Sequence, residues 1–75
     1  VPATIRELLE AAARASQSAG GEATAWDARI LLAHALGGGS PLGLDLAREV
    51  PEPARERFAR SWRERLAGTP VQHLV

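Results

Sequence analysis

The 75-residue chain has no cysteine, no lysine and only three aromatic residues. Without cysteine neither a disulfide nor a thiolate metal site can form, and the composition fits an intracellular protein, expected to be cytoplasmic. No apolar run approaches the roughly 18 residues that cross a bilayer, and Val1-Pro2 does not open the basic n-region of a signal peptide. With no lysine, all nine basic residues are arginine, a bias that a GC-rich genome explains as readily as selection for guanidinium chemistry. Nine acidic residues match them, and a formal net charge of zero argues against a dedicated nucleic-acid binder, which needs many cations placed against phosphates. The charge is unevenly spread. Residues 1–52 carry four Arg against seven acids, whereas residues 53–68 carry five Arg against two Glu.

This length makes one domain, near the lower limit for folding on a single hydrophobic core. Thr4-Ile5-Arg6-Glu7 reads as a capping box, with Ile5, Leu8, Leu9 and Ala12 at helical spacing after it. The first helix is expected to run to about Ser18 and to stop at Gly20-Gly21. Thr24 caps a second helix, with Asp27 near its positive end and Ala28, Leu31, Leu32 and Ala35 as its apolar stripe, ending at Gly37-Gly38-Gly39. The breadth of that stripe marks it as the central helix. Ser40-Pro41 suggests a short third helix buried through Leu42, Leu44 and Leu46. A strand is the other reading of the alternating leucines, but it lacks an evident partner in so helical a chain.

The last helix is expected over residues 53–67, with Phe58, Trp62 and Leu66 as one ridge at i, i+4 and i+8. Trp26 and Trp62 are both expected in the core, since a domain this small has few large side chains to fill it. Gly68 and Pro70 stop the helix, and residues 71–74 read as an extended segment. Because the chain ends on apolar, strand-like residues, more protein is expected to follow. The predicted fold is an all-α bundle of four helices, five if residues 42–50 split. A helical domain over 1–68 would then lead into a short extended linker over 69–75.

No catalytic constellation and no metal-ligand spacing is present. His34 and His73 lie on different elements, and a structural place on the helix surface is the ordinary reading of His34. The triple glycine lacks the Lys and the preceding strand of a phosphate loop. A helix-turn-helix outline exists, but its reading positions would be Pro41, Leu42, Gly43 and Leu44, none of which can hydrogen-bond a base edge through its side chain. The Arg-rich face of the last helix has two readings, a solvated surface or a fork of guanidinium groups that docks an acidic partner. Arg57, Arg60 and Arg63 are the candidate partner-binding residues.

Three stretches carry a resemblance: Thr4-Ile5-Arg6-Glu7-Leu8-Leu9, the ARILLAHALG run at 28–37, and RLAGTPVQHL at 65–74. Together they resemble the N-terminal domain of the release-factor glutamine methyltransferases, the HemK or PrmC family. In that family a Gly-x-Pro-x-Gln-Tyr-x-x-Gly segment leads from a small helical bundle into the catalytic domain. Here Gly68, Pro70 and Gln72 stand in register, His73 stands where the family usually has Tyr, and the closing Gly lies beyond Val75 or is absent. The resemblance implies that Gly68, Pro70, Gln72 and His73 form an interdomain linker. It also implies a methyl transfer from S-adenosylmethionine to the glutamine of the release factors' Gly-Gly-Gln motif, performed by a separate Rossmann-like domain with an Asn-Pro-Pro-Tyr motif. This chain has neither that motif nor a glycine-rich loop after a strand, so it would not be an enzyme alone. Its expected partners are a peptide-chain release factor and its own catalytic domain. The alternatives are a purely structural bundle and a small nucleic-acid module.

Overall fold

The computed structural model describes residues 3–19 and 23–75, Ala19 by its backbone alone. The expected stop at Gly20-Gly21 lies outside the described residues. Three α-helices form the body: α1 (Ile5–Ala19), α2 (Ala25–Ala35) and α3 (Glu52–Leu66). A two-residue strand precedes α1 and another precedes α3, β1 (Ala3–Thr4) and β2 (Glu49–Val50), and 3-10 turns occupy Pro41–Gly43 and Val71–His73. Among the described residues the bundle therefore has three α-helices with a small antiparallel ladder, not four or five helices.

Local chemistry sets the helix ends. The Thr4 backbone N–H donates to Glu7 Oε1 at 2.9 Å, and the Glu7 N–H donates back to Thr4 Oγ1 at 3.3 Å. Thr24 and Asp27 repeat this reciprocal box at the start of α2, at 3.1 and 3.2 Å. At the other end of α2, Gly37 donates to the His34 carbonyl and Gly38 to the Ala33 carbonyl, with Gly37 at φ 106°. Gly68, at φ 111°, and Thr69 close α3 in the same way on the carbonyls of Arg65 and Glu64. Both closures are Schellman motifs, which consume carbonyls that a helix otherwise leaves unpaired. The glycine run after α2 thus starts as a helix stop, as the sequence reading expects.

The expected third helix shrinks to one 3-10 turn. Ser40 caps it by accepting from the Leu42 N–H, but Leu42 itself is 78% exposed. Beyond the turn the chain extends and returns to the start of α1, where Ala3 pairs with Val50 and Thr4 with Glu49. The same segment then accepts from the first turn of α1: the Ile5 N–H reaches the Arg48 carbonyl at 2.9 Å and the Arg6 N–H reaches Leu46 at 3.1 Å. These are N–H groups that the helix cannot satisfy itself. The alternating leucines themselves form no strand: the strand that does form, Glu49–Val50, lies beyond them and pairs with the residues immediately before α1, and half-buried Leu44 and Leu46 lie in the irregular stretch that leads to it.

α2 is central, as its apolar breadth implies, with Leu31 and Leu32 buried to within 1%. Each such side chain contributes roughly 1.5–3 kcal/mol through burial. The ridge of α3 meets it through Phe58 and Trp62, whose rings stack with centroids 6.2 Å apart. Trp26 does not join them and is 47% exposed. Asp27 and Ala28 set the phase of α2, and Trp26 lies about 200° around the helix from buried Ala28, on the side away from the core.

The tail also departs from expectation. Residues 71–74 are not extended: the His73 N–H donates to the Pro70 carbonyl and the Leu74 N–H to the Val71 carbonyl. Half-buried Val71 and Leu74 pack on the core beside α2. Two apolar side chains find more burial in that turn than a free strand offers. Among the described residues no helix is long and apolar enough to cross a membrane.

Candidate partner interface

The arginines of α3 divide into those that hold the fold together and those that face outward. Arg57 belongs to the first group. Its Nη2 donates to the Ala35 carbonyl at 2.7 Å and its Nε to the same oxygen at 3.3 Å. That carbonyl lies in the last turn of α2, where unpaired oxygens and the negative end of the helix dipole both favour a cation. Arg65 is the second tie. Its Nε lies 3.2 Å from Asp27 Oδ2, with both side chains mostly buried. Because Asp27 opens α2 and Ala35 ends it, the two ties fix α2 and α3 antiparallel.

Arg60 and Arg63 are exposed and have no ion-pair partner among the described residues. The candidate trio is not one cluster. Arg57 and Arg60 line a cavity of about 230 Å³ together with His34, Ser61 and Leu74. Arg63 lines a separate, larger groove of about 410 Å³ between α1 and α3. Periodicity placed all three on the non-core arc of α3, but their separation depends on where α1 and α2 flank that helix. Reading the sequence for charge missed the groove. The signal that could have found it is the small-residue stripe Ala11 and Ala15 on α1, facing Ala59 on α3.

Of the linker positions, Gly68 serves the helix stop and the Pro70 carbonyl serves the final turn, while Gln72 and His73 are exposed. His34 is likewise exposed on α2. Among the described residues no group of three or more His, Cys, Asp or Glu is arranged to hold a metal. Among the described residues the one perturbed carboxyl is Glu7, which the Thr4 backbone N–H, and then the Thr4 hydroxyl, hold below the usual glutamate range. It serves the capping box of α1 and no catalytic geometry. The surface presents outward guanidinium groups and an apolar groove.

No curated protein and no solved structure matches the chain. The family model described as the PrmC N-terminal domain matches residues 7–75, from the capping glutamate of α1 through the final turn. The chain therefore belongs to the PrmC N-terminal domain family, a domain that accompanies methyltransferases.

Proposed function

We propose that this domain is the substrate-holding part of a protein-(glutamine-N5) methyltransferase. It binds a peptide-chain release factor so that the glutamine of its Gly-Gly-Gln motif reaches S-adenosylmethionine in a separate catalytic domain, in the cytoplasm. The domain itself contributes position and no chemistry, and positioning alone can supply much of a rate enhancement. The observation that carries this reading is the pair Arg60 and Arg63, exposed and without ion partners among the described residues, on a helix that Arg57 and Arg65 hold in place. Guanidinium groups presented this way suit carboxylates on a partner surface.

A purely structural role, steadying the catalytic domain without touching the release factor, is favoured by the internal use of Arg57 and Arg65. Charge reversal separates the two. In the full-length enzyme, Arg60→Glu with Arg63→Glu should raise the KM for release factor about tenfold at low salt, with the effect shrinking as ionic strength rises. An unchanged KM at low salt would overturn the substrate-holding reading.

A further inference from the structure

We infer that the groove between α1 and α3 receives an amphipathic helix of the release factor, one whose apolar stripe is flanked by acidic residues. The inference rests on the substrate-holding role proposed above and names where and how the partner is held. It begins with packing. α1 and α3 both pack chiefly on α2 and touch each other little, so the space between them stays open. Leu8, Ala11 and Ala15 border it at i, i+3 and i+7 on α1, and Ala59, Arg63 and Leu66 border it at i, i+4 and i+7 on α3. Seven residues of helix span about 10 Å, so the two borders run alongside about two turns of an incoming helix.

The chemistry of the lining asks for large apolar side chains from outside. The rings of the buried residues Phe58 and Trp62 line it, while the alanines of its borders add almost no bulk. Ala11 and Ala59 are exposed. An apolar groove with an aromatic lining and a polar rim is the form in which proteins receive the hydrophobic face of a helix. The rim then sets the sign of the partner. Arg63 is exposed on it, and no acidic residue lines the groove among the described residues. An acidic flank on the incoming helix complements that rim. A second copy of this domain fits worse, because a twofold contact at the groove sets Arg63 against another Arg63.

The test uses the full-length enzyme and purified release factor, with Ala11→Glu and Ala59→Glu as variants. Both positions are exposed and helical, and glutamate is a good helix former, so the melting temperature should stay within about 2 °C of the parent. Each variant should weaken the Kd for release factor at least tenfold. Gln17→Glu, on α1 but outside the groove, should leave it unchanged. An unchanged Kd in both alanine variants, with Arg60→Glu still weakening binding, overturns the groove and leaves the substrate-holding role standing. An unchanged Kd in all of them overturns both. If instead Kd holds while the variants lower the melting temperature and let protease separate the two domains, the enzyme's own catalytic domain covers the groove and the inference fails.

Discussion

Asp27 and Arg65 meet at 3.2 Å through a carboxylate oxygen that is already in use: Asp27 Oδ2 also accepts from the Thr24 backbone N–H at 3.1 Å. One oxygen thus closes the capping box of α2 and ties that helix to the last turn of α3. Arg57 makes the matching tie at the far end, on the Ala35 carbonyl. The spacing from Arg57 to Arg65 on α3 equals that from Asp27 to Ala35 on α2, so the two helices are fastened at both ends of their contact.

Double use of Asp27 predicts unequal losses from the two sides of the ion pair. Asp27→Ala removes a cap and an ion pair and should cost about 1–2 kcal/mol, whereas Arg65→Ala should cost about 0.5–1 kcal/mol. In a double-mutant cycle followed by urea unfolding, the two should couple by about 0.5 kcal/mol. Equal single losses with no coupling would mean that the pair contributes nothing in solution.

Gly37 and Gly68 hold φ near 106° and 111°, and a methyl group added at either would meet nothing within 4 Å. Substitution by alanine therefore tests backbone strain alone. Gly37→Ala and Gly68→Ala should each destabilise by about 1–2 kcal/mol, measured by thermal unfolding. Loss of helix content in either variant before global unfolding would show that the closures are optional.

Trp62 is 6% exposed, yet its indole Nε1 is buried without a hydrogen-bond partner among the described residues. Removing a donor that has no acceptor forfeits packing only. Trp62→Phe should cost about 1 kcal/mol, against about 3–5 kcal/mol for Trp62→Ala. A Phe variant as unstable as the Ala variant would place a polar partner on that nitrogen.

Glu7 titrates below its ordinary range because the Thr4 N–H, and secondarily the Thr4 hydroxyl, bond its charged form. A lowered folded pKa means that the unfolded chain binds the proton more readily. The stabilisation is then present above the free glutamate value of about 4.3, and it is lost as pH falls through the lower folded value. A carboxyl titration followed by NMR should give Glu7 a midpoint below the free glutamate value, and Thr4→Ala should weaken the side-chain part of the shift. A Glu7 midpoint at the free value would remove the capping box from solution.

The sequence by itself determined where α1 and α2 begin and where α2 and α3 end, and these are interactions within a few residues. Thr4 with Glu7, Thr24 with Asp27, and the stops at Gly37 and Gly68 need no knowledge of the rest of the chain. The ridge of Phe58, Trp62 and Leu66 was equally legible, and so were the family motifs around Gly68, Pro70 and Gln72. Tertiary structure alone decided the contacts between residues far apart. It paired β2 with β1 where a third helix was expected, because the open N–H groups of Ile5 and Arg6 needed the carbonyls of Arg48 and Leu46. It turned Trp26 outward, and it folded Val71 and Leu74 onto the core. It also sorted the arginines, since α2 offered Arg57 a bare carbonyl and Arg65 a carboxylate and offered neither to Arg63. A helix carries its own start and stop in its residues, but which face meets a neighbour depends on where that neighbour packs.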